Sequence, residues 1–494
     1  MTLSYEKEKK LAMRKSLIVV KFGGSALGVN GAGIPSIIKR IRAIRRSSNA
    51  GPVIVVSAPR TIYEGNEVSL TDVATDIGEN YASLNPIPLD PIIDPYQEII
   101  ETLIKKPWKV LMKEVLDSHV RKVKHALNQA MENRRFVDVN RARVLAYSGE
   151  LTAIAALDYA MRSNDLPGEH IVFENWPIVT DRNFENANFL LDESRKRSES
   201  ISVCLEEGKL PVMGGYIGIT NEGLETTFER GGSDRTAADL GILLNQDYRV
   251  SIDFEKEDVV LSADPNVVSK GLEPVWGMSY NEVDIAGRFG MKIVDPAAVR
   301  DLIDADCNLP ILVTDMKNAH RVTRIVRNNK KSSTIIVKIA TGKRDCAILE
   351  LDKSKRTSLE EFLRNVRRYQ DFIELRPYQR GKADRARLLF LDGPYVRRYE
   401  ADLTAFDKES SIRYGLAAIT LVGDDMKAKP GIAAGTFGAL FREEINVEDG
   451  DIQQPTSSIL LVVKDAYVDD ALRAIHEHRN DVNSQIKGDR SSAK

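Results

Sequence analysis

The chain has 494 residues, enough for two or three domains, and its 43% hydrophobic and 29% charged residues are the balance of an ordinary soluble globular protein. A formal net charge of −2 gives no electrostatic footprint for nucleic acid or another polyanion, and no apolar run reaches the roughly 18 residues of a membrane span. Met1 to Lys15 lacks the apolar stretch of a secretory signal, and three widely spaced cysteines (Cys204, Cys307, Cys346) fit small buried hydrophobes in a reducing cytoplasm, with no metal-ligand spacing.

Ser16-Leu17-Ile18-Val19-Val20 is a β-branched run that predicts a buried strand. It ends in Lys21-Phe22-Gly23-Gly24-Ser25, where the amides of a glycine turn and a lysine can cradle phosphates. The lysine precedes the glycines, so this is not the Walker arrangement. A loop with Gly28, Gly31 and Gly33 follows. Ile37 to Ile44 then predicts a helix with its basic face in solvent, and Val53-Ile54-Val55-Val56 a second strand closing on Ser57-Ala58-Pro59. Strand, helix, strand is a βαβ unit and argues for a parallel sheet.

Pro86 to Pro95 reads as a proline-rich loop. Tyr96 to Arg135 reads as a helical insertion, with Ile99, Ile100, Leu103 and Ile104 on its apolar side, and is expected to be a solvated helix pair without chemistry. Val144-Leu145-Ala146-Tyr147 predicts a strand that enters a helix at Ser148-Gly149-Glu150, where an acid suits the helix dipole. Ile171-Val172-Phe173 predicts another strand, Thr180 to Ala187 is a polar cluster, and the strand Leu210 to Met213 opens on Gly214-Gly215. Phe228-Glu229-Arg230-Gly231-Gly232-Ser233-Asp234-Arg235-Thr236 comes next. Its glycines allow close backbone approach, Ser233 or Asp234 can cap the helix that follows, and Arg230 offers a fork suited to carboxylate or phosphate. Several strands thus end in glycine, serine or acidic loops, and ligands of open α/β sheets gather at the carboxyl ends of strands.

Tyr248 to Phe254 predicts a strand, Ser262 to Pro265 a turn, and Met278 to Glu282 the opening of a helix that runs towards Phe289-Gly290-Met291-Lys292. Leu309 to Val313 is expected to be the last strand of this domain, and the basic stretch Arg327 to Ser333 its boundary. Beyond it, Thr334 to Ala340 and Asp345 to Leu351 predict a pair of strands. A helix (Leu359 to Tyr369) and strands at Phe372 to Leu375, Arg387 to Phe390 and Leu416 to Val422 are expected next. The helix Ile432 to Glu444, the strand Ser457 to Val463 and the helix Val468 to His478 complete two α+β units of the ferredoxin-like type. The tail from Asn480 is polar and expected to fray, and His119, His125, His476 and His478, in charged helical stretches, are expected in solvent.

Six of these segments, in order, resemble the aspartate kinase family of the amino-acid kinase fold. They are Lys21 to Ser25, Ser148 to Glu150, Thr180 to Ala187, Arg230 to Asp234, Phe289 to Ile293 with Pro296, and Val422 to Lys427 with Pro430-Gly431. The last is similar to the opening of the family's second ACT domain. The resemblance implies an N-terminal extension (1–15), a catalytic domain (16–326) with the helical insertion at 96–135, ACT-like regulatory domains at 334–412 and 413–480, and a polar tail (481–494). The implied fold is a mainly parallel sheet with helices on both faces, followed by ferredoxin-like ACT domains.

The activity implied is transfer of the ATP γ-phosphate to the side-chain carboxylate of L-aspartate, giving 4-phospho-L-aspartate. Lys21 and Lys292 would sit on the phosphates, with Asp234 organising the two lysines. Gly23, Gly24, Ser25 and Asp258 would complete the ATP side. Arg230 would hold the substrate's α-carboxylate, Glu150 its ammonium, and Ser57, Thr71 and Ser233 would position it. Mg²⁺ would arrive with ATP, held through the phosphates and not by a protein ligand set. Asp424, Met426, Lys427, Pro430, Gly431 and Ile432 would line an effector site for lysine or threonine, in a cytoplasmic homodimer or higher oligomer joined through the ACT domains.

This chain departs from the family pattern in three places. Phe254 to Val259 replaces a Thr-Asp-Val-Asp-Gly segment, Asn266 stands where an arginine is usual, and the first regulatory unit lacks a clear Gly-x-Gly-Met pattern. A glutamate-type amino-acid kinase and a non-catalytic ACT-type sensor are the alternative readings.

Overall fold

The computed structural model describes residues 14–229, 231–328, 336–367, 372–380, 383–424, 426, 430–451 and 458–491. The chain divides into two compact units: Met1–Val259 with Ala297–Arg327, and Val260–Pro296 with Asn328–Lys494.

In the first unit, strands follow in the order β1 (Ser16–Phe22), β2 (Pro52–Val56), β3 (Arg60–Tyr63), β4 (Asn66–Ser69), β5 (Gly168–His170), β6 (Leu210–Gly214), β7 (Ile217–Ile219), β8 (Glu225–Thr227) and β9 (Arg249–Lys256). β3–β4 and β7–β8 are small separate hairpins. The others join β11 (Ile311–Asp315) and β12 (Val322–Val326), side by side in the order β12-β11-β9-β1-β2-β6-β5. Every pairing here is parallel except β11 with β12. The parallel sheet expected from the βαβ pattern is present, but Ile311–Asp315 is not its last strand: β12 folds back beside it.

Parallel strands are covered on both faces and so lose the alternation of half-exposed ones. All five residues of β2 and all five of β6 are buried. The helix Ile34–Ser47 shows how the cover forms: Ile34, Ile37, Ile38, Ile41 and Ile44 recur on one side and are buried, while Arg45 and Arg46 lie in its last turn.

Three local expectations are corrected. Pro86 to Pro95 is not wholly a loop, because the helix Asp90–Leu103 begins within it, with Pro91 in the first turn where a missing N–H costs nothing. Val144 to Tyr147 is helix, not strand: Asp138–Ser148 and Glu150–Arg162 are consecutive helices broken at Gly149. A short apolar run buried on all sides looks the same in either state. Ile171 to Phe173 is not a strand; β5 ends at His170 and Phe173–Asn175 is a 3₁₀ turn.

The second unit contains β10 (Gly277–Ser279), the helix Tyr280–Arg288 and an antiparallel six-stranded sheet. The sheet comprises β13 (Ile339–Asp352), β14 (Phe372–Arg380), β15 (Ala383–Phe390), β16 (Ser411–Val422), β17 (Asp449–Asp451) and β18 (Ser458–Lys464), in the order β14-β15-β13-β16-β18-β17. The pair of strands expected at 334–351 is one strand: β13 runs straight through, with register shifts at Lys343 and Cys346 that absorb the interruption. It serves two cores, one around Leu349, Leu359, Leu388 and Phe390, the other around Ala340, Ile419, Leu461 and Ile475. Positions 334, 335, 368 and 369 of the expected strand and helix lie outside the described residues.

The last helix, Val468–Ser491, continues past the expected end at His478 into the polar tail. Its polar side chains have buried work to do: Asn483 bonds the backbone of Ile336 and Val337, and Arg479 that of Val337 and Lys338. Two of the histidines expected in solvent are not. His119 contacts Thr152 Oγ1 at 2.8 Å and is held down to about 3, first by burial. His476 lies against Ser262 Oγ at 2.8 Å and is lowered by burial to about 4. The three cysteines are buried and unpaired, and among the described residues no helix is long and apolar enough to cross a membrane.

Candidate active site

In β1, Val20 and Phe22 are buried and Lys21 between them points the other way, at the strand's carboxyl end. Lys21 Nζ lies 2.8 Å from Asp234 Oδ1, both side chains nearly enclosed. The ammonium also stands over the glycine turn, 3.5 Å from where a Cβ on Gly23 would be. At Gly24 the turn passes so close to β2's exit that a Cβ would meet Ala58 O at 2.7 Å. Ala26 and Leu27 bond the Gly23 carbonyl, opening the short helix Gly24–Leu27, on which Ser25 is exposed. Amides of a first helical turn have no intrahelical partner, which suits phosphate oxygens.

Asp234 is in the first turn of the helix Gly232–Leu244, whose N-cap, Gly231, has φ +97°, a conformation costly for any residue with a Cβ. Beside it, Ser233 Oγ is 3.0 Å from Ser57 Oγ, at the exit of β2. Gly215, at the exit of β6, allows this: a Cβ there would stand 2.4 Å from that of Ser233.

Glu150 opens the helix Glu150–Arg162 and is only 3% exposed. Its Oε1 accepts from the Ala58 N–H at 3.1 Å, and its Oε2 is buried without a hydrogen-bond partner among the described residues. Burial pushes the carboxyl up to about 7, against the Ala58 amide, its own amide and the charge of Lys21. A buried carboxylate oxygen with no donor is costly unless something fills its place. Tyr96, from the helical insertion, donates to the carbonyls of Ser148 (3.0 Å) and Gly149 (2.7 Å) and so holds the break from which Glu150 starts. The insertion therefore touches the site, contrary to the solvated helix pair expected. Thr71 Oγ1 is beside the same break, 3.6 Å from a Cβ built on Gly149.

Lys21, Gly23, Gly24, Ser57, Glu150, Ser233 and Asp234 thus converge at the carboxyl ends of β1, β2 and β6. Arg230 lies outside the described residues. Arg235 forks onto Asp301, donates to Ala187 O at 3.1 Å and stacks 4.7 Å above the Phe228 ring. The Thr180 to Ala187 block wraps the strand that leads to Phe228, through Thr180 on Thr226 and Ala187 N on Thr227 O. Asp258, just beyond β9, accepts from Val259 N–H and pairs with Arg321 at 2.9 Å.

Sequence reasoning passed over Tyr96 and Arg235, and also a buried pair on β9. Asp253 and Glu255 share Arg40, and Glu255 is pushed up to about 8 by burial and by the charge of Asp253. The visible signal was two acids spaced by two and alternating with the apolar Ile252 and Phe254, which places them on one face.

In the second unit, Lys292 is exposed just beyond Gly290, whose φ is +96°. Of the expected effector residues, Met426 and Ile432 are buried in a core, the Asp424 amide donates to Glu282 at 2.8 Å, and Pro430 and Gly431 precede the helix Ile432–Arg442. Lys427 lies outside the described residues.

The amino acid kinase family model matches residues 16–315, well over half of the chain, and an ACT domain model matches residues 419–478. The chain belongs to the amino acid kinase family. "Aspartokinase 3" of Bacillus subtilis is 24% identical over 473 residues, covering 93% of this chain and 98% of the relative. Among solved structures, Escherichia coli aspartokinase III in complex with aspartate and ADP (R-state) aligns with a TM-score of 0.75 at 17% identity, covering 94% of this chain and 99% of the other. The same enzyme with lysine and aspartate (T-state) aligns at 0.65, also at 17% identity, over 93% and 99%. As a member of this family, the chain carries a lysine–carboxylate pair over a glycine turn, with a second, desolvated carboxylate beside it. Such an arrangement can hold a polyphosphate by its charge and an amino acid by its ammonium.

Proposed function

We propose that this protein is an ATP-dependent aspartate kinase. The observation that carries the reading is Glu150. A buried carboxylate with an unpartnered oxygen, near the Lys21–Asp234 pair, provides what an amino-acid substrate's ammonium requires. In the proposed reaction, an oxygen of aspartate's side-chain carboxylate attacks the γ-phosphorus. The new O–P bond forms as the bond to the β,γ-bridging oxygen breaks, and its electron pair leaves with ADP. The attacking group is already an anion, so no general base is needed. Lys21 neutralises charge on the transferring group, and the Gly23–Gly24 turn and Ser25 face its oxygens.

Asp234 holds Lys21 in register, Ser57 and Ser233 position the substrate, and Glu150 receives the ammonium. Arg230 for the α-carboxylate, Thr71 beside the substrate, and Lys292 and Asp258 for ATP follow from the family resemblance. Mg²⁺ supplies charge neutralisation on the nucleotide when bound. The nucleotide phosphates are its natural ligands, since Mg²⁺ in such sites is held mainly by substrate phosphates and water. Buried, unpaired thiols fit a reducing compartment such as the cytoplasm. The C-terminal unit is read as the seat of an amino-acid effector and of a homodimer contact.

The test is ATP- and Mg²⁺-dependent hydroxamate formation with L-aspartate or L-glutamate, alone and with lysine or threonine added. Aspartate-dependent product, with glutamate turned over far less, is expected. A folded sample inert towards aspartate at every effector level would reject the reading.

A further inference from the structure

The second unit incorporates Val260–Pro296, although the kinase family model runs to residue 315. Inside its unit that segment is held by the last helix, where Ser262 meets His476 at 2.8 Å and Glu273 pairs with Arg479 at 3.3 Å, and by residues 337–342 at the start of β13. Ala340 N–H donates to Ser262 O at 3.0 Å, and Thr341 Oγ1 to Phe289 O at 3.0 Å. Gly290 lies against Gly342, where a Cβ would stand 3.1 Å from the carbonyl oxygen. Lys338 Nζ reaches Glu282 Oε2 at 2.7 Å.

Glu282 is the point where three segments meet. Its Oε2 also accepts from the Ser279 N–H at 2.8 Å, the return bond of a capping box, and its Oε1 accepts from the Asp424 amide at 2.8 Å, 142 residues away. A capping box needs only the bonds to Ser279, and glutamine makes them as well as glutamate. Here the side chain is fully buried against a lysine that is itself 5% exposed. Two charges taken out of water bring little net stability, and the best-attested use of such a pair is to fix register. The helix Tyr280–Arg288 connects Glu282 at one end to Phe289–Lys292 at the other, where Thr341 pins it again.

We propose that Glu282 is a positioning residue that couples the loop at Asp424 to the lysine-bearing segment Phe289–Lys292. The inference rests on reading Lys292 as an ATP-side group. A displacement of the Asp424 loop shifts the helix start through Oε1, and the helix carries that shift to Lys292.

The experiment compares full-length wild type with Glu282→Ala, Glu282→Gln and Lys338→Met. Deuterium uptake is read at residues 283–294 and, as reference, in β1 and the helix Gly232–Leu244, together with the dissociation constant for AMP-PNP and the KM values for ATP and aspartate. Glu282→Ala and Lys338→Met should raise uptake at 283–294 with the reference peptides unchanged. AMP-PNP affinity should fall about tenfold, the size of one charged hydrogen bond, with KM for aspartate changed less than twofold. Glu282→Gln has one acceptor oxygen and so keeps only one of the two amide contacts; it should recover part of the affinity that Glu282→Ala loses. Unchanged uptake at 283–294 in both variants, or equal loosening in the reference peptides, overturns the proposal. Should Glu282→Ala fail to fold, Lys338→Met decides alone. Wild type that binds no AMP-PNP and forms no aspartyl hydroxamate would defeat the kinase reading, while the uptake comparison still decides whether Glu282 ties these segments.

Discussion

Glu150 concentrates the residue-scale chemistry. Its carboxyl, pushed up to about 7 by burial, is half protonated near neutrality, and an ammonium needs it ionised. In the proposed kinase, kcat/KM for aspartate should therefore rise with pH up to about 7 and level above it. Glu150→Gln should flatten that rise and weaken aspartate binding at pH 8 by about 10- to 100-fold, a charged hydrogen bond lost. The same carboxyl opposes folding at high pH. An ordinary glutamate titrates near 4.5, so the stabilising proton is fully held below that pH and lost as pH rises through about 7. Thermal melts of Glu150→Gln should gain stability on the order of 3 kcal/mol over wild type at pH 8 and almost none at pH 4. Lys21→Ala should cut turnover by about 10²- to 10³-fold, with the circular dichroism spectrum unchanged, because Lys21 ends a strand whose packing comes from Val19, Val20 and Phe22. Turnover within a few-fold of wild type would remove Lys21 from the chemistry. Both residues were legible in the sequence, because a lysine before two glycines and an acid after one are local patterns. The shift of Glu150 was not legible, because desolvation depends on what surrounds the carboxyl.

At the scale of elements, the break between two helices at Gly149 matters most. Val144 to Tyr147 read as a strand because four apolar residues carry no decisive period, and the helix became evident only with its burial on every side. Tyr96 fixes the break from a helix that sequence reasoning set apart as solvated. Tyr96→Phe would take the hydroxyl away from the Ser148 and Gly149 carbonyls, the second of which keeps the Ala153 amide at 3.0 Å, costing about 1–3 kcal/mol in a denaturant titration. It should raise KM for aspartate more than KM for ATP, since Glu150 begins at that break; equal changes would confine Tyr96 to stability. Gly215→Ala is the companion prediction. The added methyl would press on Ser233 and break its 3.0 Å contact with Ser57. The expected outcome is a several-fold rise in KM for aspartate with little change for ATP, one hydrogen bond being worth about 1 kcal/mol. These glycines were legible as turns, whereas the close approaches that require them were not.

For the whole molecule, the two-unit division separates covalent from spatial order. Residues 260–296 precede the last strands of the first unit yet fold with the C-terminal one. The helix Ile432–Arg442 of that unit leaves Phe441 82% exposed and Phe437 36% exposed, an apolar face that suits contact with a second copy. Sedimentation equilibrium should show a dimer in wild type and a shift towards monomer in Phe441→Asp; identical masses would move the contact elsewhere.

Residue type and spacing determined the parallel sheet and the turns and helix caps of the segments that resemble the family, because hydrophobic period, glycine turns and helix caps are set by neighbours within a few positions. Tertiary structure decided that Ser57 meets Ser233 across 176 residues, that Glu150 meets Ala58 across 92, and that Glu282 meets Asp424 across 142. It also decided that one strand replaces two at Ile339–Asp352. These outcomes depend on which distant segments exclude water from a given group, and burial of that kind is a property of the packed chain, not of any window along it.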